Sequence, residues 1–363
     1  MGSVGVIILH AEAGPSAGPL EAWLAAARRT LADRQQRAFA AAAASEARVV
    51  VGIPDGRLFG ELLRELARPF AGGGLVVLGS GSIPLATAAD RRALVAAAGA
   101  STGGALTNNR YSSDVVAIAC ADVLAGLPDL PSDNALPRWL TEVAGYPVGE
   151  LPARRLRFDV DDPLDLVLLR RTRPSSPLRV PPGVDTSRAE AALGAVAAVA
   201  RDPSAELLVA GRASSASLAW LELRMAARVR ALIEERGLRA ASPAAASSAA
   251  ARPRPPASVL GALLDRDGPE ALGSWIARLG DGALVDSRVL LAHRLGADER
   301  SWPPAEDRYA SDLLLHERIG DPWLRALTAS AARAATAILL GGHTLVGPGM
   351  AWLLRDRALP SGP

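Results

Sequence analysis

Short, continuous apolar runs constrain the fold of this chain more than any other feature. Val4–Leu9, Gly74–Gly79 and Val115–Ala119 contain five or six residues each, and none of them alternates with polar residues. Such runs are typical of strands that are buried on both faces of a parallel sheet. Helical periodicity follows the first of them, over Leu20–Ala44. Strands that alternate with helices predict an α/β fold with a mostly parallel, doubly wound sheet, which binds ligands at the carboxyl ends of its strands.

The same pattern restarts after a proline-rich segment, which predicts a second domain. Residues 173–186 include four prolines among serines and arginines, and this composition is typical of a linker. We therefore expect a first domain over residues 1–172 and a second α/β domain over residues 187–363, since 363 residues suffice for two cores. Within the second domain, a long helix is expected at Ser215–Arg236, and residues 240–257 are predicted to be a low-complexity insertion.

Composition excludes several classes of function. The residues are 49% hydrophobic and 21% charged, the formal net charge is +2, and no basic run carries interleaved aromatics, so nucleic acid is not expected as a partner. No apolar run reaches the ~20 residues that span a bilayer, and no cationic leader precedes the first strand. With Cys120 as the single cysteine, these features predict a cytoplasmic protein without a membrane partner. The oligomeric state stays open, and a homo-oligomer is one alternative.

All 40 basic residues are arginine, so the chain has no lysine. This absence excludes a Walker-type phosphate loop, a Schiff-base lysine and a lysine general base. Any phosphate contact from a cationic side chain must therefore come from arginine.

One junction with the sequence F-D-V-D-D-P-L-D-L brings four carboxylates together where a predicted strand becomes a helix. Pro163 suits the first helical position, which makes Asp162 the N-cap and places Asp165 near free backbone N–H groups. Asp159 and Asp161 have no such structural role, and side chains two apart in a strand face the same way. Because paired carboxylates are ligands that Mg²⁺ prefers, both are predicted to bind that metal.

Two other polar segments border predicted strands. Ser80 and Ser82 flank a glycine directly after the predicted strand Gly74–Gly79, and serine hydroxyls can bind phosphate through hydrogen bonds. The stretch G-G-A-L-T-N-N-R-Y-S-S-D precedes another apolar run. Within it, Arg110 could clamp a phosphate or carboxylate bidentately, whereas Asn109 also suits a simple turn.

These motifs resemble the nucleotidyltransferases of the glycosyltransferase-A fold, which include the molybdenum-cofactor nucleotidyltransferases and the 2-phospholactate guanylyltransferases. The acidic junction is similar to their N/D-I-N/D-T-P-E-D-L signature, and L-V-V-L-G-S-G-S-I-P-L is similar to V-V-L-G-D-x-P-L-L. The resemblance covers roughly residues 4–170 and implies a Rossmann-like, glycosyltransferase-A-like sheet. It also implies Mg²⁺-dependent transfer of a nucleotidyl group from a nucleoside triphosphate to a phosphorylated small molecule.

The resemblance adds Thr107 and Asn108 to the site, because they are similar to a G-T-N segment of the 2-phospholactate guanylyltransferases. The candidate substrate-binding residues all lie next to a predicted strand; they are Ser80, Ser82, Thr107, Asn108, Asn109 and Arg110.

The chain departs from the family pattern at two places. The strand-end aspartate of V-V-L-G-D is replaced by Ser80-Gly81-Ser82, and serine is a poor Mg²⁺ ligand without a carboxylate beside it. The first loop, residues 13–19, has no arginine, and its two prolines each remove a backbone donor. The alternative is therefore a catalytically degenerate nucleotidyltransferase-fold protein that acts as a ligand-binding, regulatory or scaffold module.

The second half has no legible family motif, but polar residues also follow its predicted strands. Asp286 and Arg288 follow one strand, and His343 follows another after two glycines that would permit close approach of a ligand. The chain's four histidines have no metal-ligand spacing. Chemistry in this half therefore stays open.

Overall fold

A computed structural model shows the fold over residues 2–52, 57–172, 178–235 and 254–353, with side chains described up to residue 350. Most of the predicted low-complexity insertion and the first five residues of the predicted linker lie outside the described residues. None of the helices in these ranges has the length and apolarity that a membrane crossing requires.

The described residues fall into two units. The first unit contains residues 2–13 and 25–160, and the second contains residues 14–24 together with the described residues from 161 onwards. The domain limits expected from the sequence, at residues 172 and 187, stay a prediction.

The first unit is built on one six-stranded sheet with the order β2-β1-β3-β5-β4-β6. Only β5 runs antiparallel to its two neighbours, and the other pairings are parallel. The strands are β1 (Val4–Leu9), β2 (Glu46–Val50), β3 (Gly74–Gly79), β4 (Gly104–Thr107), β5 (Val115–Ala119) and β6 (Val148–Glu150). The predicted α/β class with a mostly parallel sheet is confirmed.

Helices cover both faces of this sheet, which explains why its strands are continuously apolar. Ile7 and Val77 pack with Leu63 and Trp139 on one face. The next residues along β1 and β3 point the opposite way, and Ile8 packs there with Phe39 and Leu94 (the pleat alternates). The helices that begin before residue 161 are α1 (Pro19–Ala40), α2 (Phe59–Ala67), α3 (Ala88–Ala98) and α4 (Leu136–Glu142).

The second unit contains a four-stranded, wholly parallel sheet with the order β10-β9-β7-β8. Its strands are β7 (Glu206–Gly211), β8 (Arg228–Ile233), β9 (Gly282–Asp286) and β10 (Ala337–Gly341). The helices after residue 160 are α5 (Pro163–Thr172), α6 (Ser187–Arg201), α7 (Ser215–Arg224), α8 (Val259–Asp267), α9 (Leu272–Ala277), α10 (Ser287–Leu295), α11 (Ala305–Asp312), α12 (Pro322–Arg333) and α13 (Pro348–Leu353). The α/β class predicted for the second half is confirmed, because this unit has its own parallel sheet and helices.

The long helix predicted for Ser215–Arg236 is wrong. The helix ends at Arg224, and R-V-R-A-L-I forms the edge strand β8. β8 bonds only to β7 and stays partly exposed on both faces. Its mixed polar and apolar residues therefore resemble an amphipathic helix as closely as a strand, and tertiary pairing decides between them.

The strand predicted before the acidic junction is also wrong. Arg154–Arg157 forms a 3₁₀ turn, and the extended residues after it make a single bridge, between Ser82 and Asp159. Phe158 and Val160 are nevertheless fully buried while Asp159 is half-buried, because an extended chain alternates its side chains even without a ladder.

Candidate functional site

The polar loops of the first unit meet at one edge of its sheet. β1, β3 and β4 are mutually parallel, so His10, Ser80 and Asn108 each follow the carboxyl end of a strand at the same edge. β5 runs the other way, and the loop before it therefore reaches this edge too. Ligands of open α/β sheets bind at this position.

The buried side-chain amide of Gln35 stabilises the turn after β3. Gln35 donates from Nε2 to the carbonyl oxygens of Ser82 (2.9 Å) and Ile83 (3.0 Å). Arg91 in turn donates to Gln35 Oε1 at 3.0 and 2.8 Å. Ile83 has a φ of +46°, which a β-branched residue rarely adopts, so these bonds stabilise a strained turn.

His10 and Ser80 form a buried pair beside this turn. The imidazole Nδ1 and the serine Oγ lie 3.1 Å apart. Burial, followed by the positive field of Arg29, lowers the pKa of His10 below its ordinary value, so the ring is neutral at pH 7. The Ser80 hydroxyl is thus bonded to the protein's own chain.

Asp159 lies against the same turn. Its Oδ1 accepts the backbone N–H of Val160 at 2.9 Å, and Arg28 donates from Nε to the Val160 carbonyl oxygen at 2.6 Å. A Cβ at Gly81 would lie 2.5 Å from that carbonyl oxygen, so only glycine permits this approach. The half-buried Asp159 carboxylate is therefore placed next to the backbone of the glycine turn.

Asn108 is the structural centre of the loop between β4 and β5. Its Nδ2 donates to Asp114 Oδ2 (2.6 Å) and to the Leu156 carbonyl oxygen (2.8 Å). Its Oδ1 accepts the backbone N–H groups of Asp114 (3.0 Å) and Val115 (3.3 Å). Both amide hydrogens and both lone pairs are thus used within the chain. Thr107 is equally buried, and its hydroxyl bonds to the Val115 carbonyl oxygen at 2.9 Å.

Asn109 and Arg110 are less buried than their two predecessors. Asn109 Oδ1 accepts the backbone N–H of Tyr111 at 3.1 Å, a local turn of the kind that asparagine favours. The Arg110 guanidinium donates from Nη2 to the Val148 carbonyl oxygen at 2.7 Å.

The acidic junction continues into the second unit, where its next three carboxylates lie. Asp162 Oδ1 accepts the Asp165 N–H at 3.0 Å, and Asp165 Oδ2 accepts the Asp162 N–H at 3.2 Å, so the predicted N-cap is confirmed as a reciprocal cap. Asp161 is 45% exposed, and its Oδ2 lies 3.7 Å from Nδ1 of His343. The two predicted metal ligands, Asp159 and Asp161, thus belong to different units.

A second polar cluster follows the strands of the second sheet. Arg212, after β7, makes two bonds to Asp286, the last residue of β9, at 2.6 and 3.1 Å. Arg288 makes a bidentate pair with Asp312 at 2.5 and 2.6 Å, and its Nη2 lies 3.4 Å from Asp162 Oδ2. All four carboxylates of this cluster are about 1% exposed or less, and they are Asp162, Asp165, Asp286 and Asp312.

Burial sets the protonation of this cluster. Burial, followed by the charge of Asp162, raises the pKa of Asp165 well above its ordinary value. Burial raises the pKa of Asp312 to about 7, although Arg288 opposes that rise. Burial also acts to raise the pKa of Asp286, but Arg212 outweighs it and the pKa is lowered.

The structure brings Ser80, Ser82, the loop from Thr107 to Arg110, and Asp159 to one edge of the first sheet. Sequence reasoning missed Arg28 and Gln35, which hold this edge from within α1. A mid-helix arginine or glutamine carries no local signal, because its partners lie 132 and 47 residues away.

No group of three or more His, Cys, Asp or Glu side chains that could hold a metal exists within the residues described here. Nucleotide-bound Mg²⁺ needs fewer protein ligands, since one or two carboxylates and the phosphates complete its shell. Asp159 alone could fill such a role.

No family model and no curated protein matches this chain. Among solved structures, it is similar to a presumed nucleotide-diphospho-sugar transferase from Desulfovibrio desulfuricans G20, with 17% identity, 49% of this chain and 91% of the other covered, and a TM-score of 0.37. It is also similar to Rv0371c from Mycobacterium tuberculosis H37Rv, with 22% identity, 46% and 97% coverage, and a TM-score of 0.30. The α/β class therefore stands on the strands and helices described above.

Proposed function

We propose that this protein binds a nucleotide at the carboxyl edge of its first sheet, as a ligand-binding or regulatory module on a nucleotidyltransferase-like fold. The edge contains the glycine turn at residues 80–82 and the half-buried Asp159, and Arg110 belongs to the loop before β5 that reaches it. Backbone N–H groups of a glycine turn, a carboxylate and an arginine are groups that engage a phosphate and its Mg²⁺.

One observation carries the choice of a module over an enzyme. Ser80, Thr107 and Asn108, three of the residues that the sequence predicts to bind substrate, are buried and bonded to the protein's own chain. A side chain whose donors and acceptors are all used cannot bind substrate without losing bonds of about 1 kcal/mol each. With the strand-end aspartate and every lysine absent, few groups remain to stabilise the charge that develops in nucleotidyl transfer.

A working nucleotidyltransferase is the second candidate, and Asp159 favours it. The carboxylate is half-buried beside the glycine turn and accepts the backbone N–H of Val160. In such an enzyme Asp159 would hold Mg²⁺, and the acceptor would be a phosphorylated small molecule.

Titration calorimetry of the full chain with each nucleoside triphosphate, with and without Mg²⁺, tests the proposal. We expect binding that needs Mg²⁺ and weakens at least tenfold, about 1.4 kcal/mol, in Asp159→Asn. Asn at this position can still accept the Val160 N–H bond. Asp129→Asn is the matched control, because Asp129 is an exposed acid with its own partner, Arg64.

A pyrophosphate-release assay on the same samples separates the two candidates. Binding without release, across a panel of phosphorylated hydroxy acids and sugars as acceptors, supports the module. Release that depends on an acceptor and on Asp159 establishes the enzyme instead. If no nucleotide binds in the presence of Mg²⁺, both candidates fail.

A further inference from the structure

Three residues around the hydroxyl of Ser80 carry polar groups that the protein itself does not use. His10 is bonded to Ser80 through Nδ1, and Gly81 and Ser82 follow Ser80 in the turn after β3. Among the described residues, Nε2 of His10 and the hydroxyl of Ser82 have no hydrogen-bond partner, and neither atom is completely buried. The backbone N–H of Gly81 likewise donates to no group in the described ranges, whereas those of its two neighbours are bonded to backbone carbonyl oxygens.

The residues that carry these three groups are nevertheless enclosed by the protein. His10 is 2% exposed, Ser82 is 3% exposed, and Gly81 is buried. Polar groups of buried residues are seldom left without a partner, because bulk water reaches them poorly and a missing hydrogen bond raises the free energy of the folded state. Three such groups around one hydroxyl therefore indicate that a ligand completes their bonding.

The Ser80 hydroxyl orients the His10 ring and is compatible with either protonation state of it. A neutral imidazole can accept the serine proton at Nδ1 and keep its own hydrogen on Nε2. A protonated imidazole can instead donate from Nδ1 to the serine oxygen. In both of these states Nε2 carries a hydrogen and can donate to an anion.

The charged groups around His10 favour a neutral ring while no ligand is bound. Burial lowers the pKa of His10, and the positive charges of Arg29 and Arg28 lower it further, against the opposing effect of Glu12 and Asp33. An anion in contact with Nε2 would change this balance, because a nearby negative charge favours the protonated imidazole. The ring therefore has a reason to gain a proton on binding.

The surroundings of the turn suit a phosphate group and its metal ion. A Cβ at Gly81 would lie 3.1 Å from Oδ1 of Asp159 and 3.2 Å from Nε of Arg28, so a carboxylate and a guanidinium border the turn. Hydroxyl, imidazole and backbone N–H groups donate to phosphate oxygens, and a carboxylate beside them can bind Mg²⁺.

We infer that Nε2 of His10, the N–H of Gly81 and the hydroxyl of Ser82 bind a phosphate group of the ligand, and that His10 takes up a proton when this group binds. The inference rests on the proposed function for the nucleotide that carries the phosphate, and it adds control of binding by pH. Because the bound ring is charged and the free ring is neutral, binding should tighten as the pH falls, by up to about tenfold per pH unit. The tightening should stop once the free ring is itself protonated.

Inorganic tripolyphosphate with Mg²⁺, titrated calorimetrically into the full chain at pH 7, tests the inference without a nucleoside. Heats measured in two buffers of different ionisation enthalpy give the number of protons taken up. We expect the wild type to take up more protons than His10→Asn, by close to one per bound ligand. The comparison between variants removes the protons that the tripolyphosphate itself exchanges.

Two replacements separate the roles of the two ring nitrogens. The amide of His10→Asn can replace Nδ1 and keep the bond to Ser80, whereas the longer side chain of His10→Gln places its amide nearer to the position of Nε2. Affinity for tripolyphosphate should fall at least tenfold in His10→Asn and less in His10→Gln, and neither variant should take up the additional proton.

Ser82→Ala tests the second side chain of the site. It should also weaken binding at least tenfold, because a hydrogen bond to a charged group is lost, and it should not lower stability, since the hydroxyl has no partner among the described residues. His316→Gln, which replaces a histidine of the second unit, is the control and should change neither affinity nor proton uptake.

The inference is overturned if tripolyphosphate does not bind the wild type, or if His10→Asn leaves either the affinity or the proton uptake unchanged. Nucleoside triphosphate binding that requires Asp159 would stand in either case. Tripolyphosphate binding with a proton uptake that depends on His10, together with no binding of any nucleoside triphosphate, would support the inference and refute the proposed function.

Discussion

The two sheets present very different chemistry at their carboxyl edges. At the first edge, buried hydroxyl and amide groups such as Ser80 and Asn108 are satisfied by hydrogen bonds within the unit, while Asp159 and Arg110 stay half-buried. At the second edge, full charges are buried, and Asp286 and Arg288 are paired within the unit. The difference teaches that a strand-end position alone does not make a ligand site.

Charge that is already paired and buried has little to offer a ligand. The second edge uses its arginines to compensate its own carboxylates, while His343 and Asp161 are partly exposed there. The first edge keeps the half-buried carboxylate of Asp159 and the half-buried Arg110. We therefore propose that the first edge binds the ligand and that the second stabilises the fold.

The largest expected effect is on the buried pair of the second unit. Arg288→Met should lower the free energy of unfolding by about 3–5 kcal/mol, because it leaves Asp312 and Asp162 buried without their cation. Urea unfolding followed by circular dichroism measures this loss. Arg300→Gln, which breaks the exposed pair with Asp298, should leave the free energy of unfolding nearly unchanged, because solvent screens that pair.

A double replacement sharpens the same point. Arg288→Met combined with Asp312→Leu should recover much of the loss, since apolar residues can replace a buried ion pair without leaving a lone charge. A single variant as stable as the wild type would show that the second edge is not a structural ion cluster.

The next effect concerns the hydrogen bonds of Asn108 at the first edge. Asn108→Ala should cost roughly 2–3 kcal/mol of unfolding free energy, because it strands the Leu156 carbonyl oxygen and the N–H groups of Asp114 and Val115. Asn109→Ala, which loses one exposed turn bond, should cost about 1 kcal/mol or less. Equal losses in the two variants would contradict the structural role of Asn108.

The free energy of unfolding should also depend on pH, because buried carboxylates of the second unit have shifted pKa values. The pKa of Asp312 is raised to about 7, so the folded protein keeps a proton that the unfolded chain releases near pH 4. The stabilisation of the folded state by this retained proton is complete below about pH 4, declines as the pH rises, and is lost above pH 7. The decline is at most roughly 1.4 kcal/mol per pH unit for each such group.

Unfolding measured from pH 5 to pH 8 checks this sign. Asp165, whose pKa is also raised, contributes in the same direction, and Asp165→Asn should flatten part of the slope while it keeps an acceptor for the Asp161 and Asp162 N–H groups. Asp286 has a lowered pKa and acts only in more acidic solution. Stability that is constant or rising over this range would show that the cluster is fully ionised.

The smallest expected effect is at the rim of the second edge. Asp161→Asn should change the unfolding free energy by no more than about 0.5 kcal/mol, because the pair with His343 is long and partly exposed. The same variant tests the predicted Mg²⁺ role of Asp161. Nucleotide binding that is lost while stability is unchanged would support that role.

Local patterns predicted much of the fold and part of the site. Continuous apolar runs identified β1, β3 and β5, and the Asp-Pro step identified the cap of α5. Both signals lie within a few residues of the element that they define.

Long-range pairing could not be predicted from one sequence. The edge strand β8 depends on β7, and the Arg288–Asp312 pair joins residues 24 apart on different helices. The hydrogen bonding of the Asn108 amide likewise depends on the carbonyl oxygen of Leu156, 48 residues away. No spacing in the sequence shows whether a polar side chain at a strand end will face a ligand or its own backbone.

Hydrogen–deuterium exchange of the full chain, with and without saturating Mg²⁺ and nucleoside triphosphate, tests the assignment of the two edges most directly. Ligand should slow exchange in residues 79–83, 107–114 and 154–160, and leave residues 286–288 and 341–345 unchanged. Slowing confined to the second sheet's segments, or absent from both edges, would contradict the account.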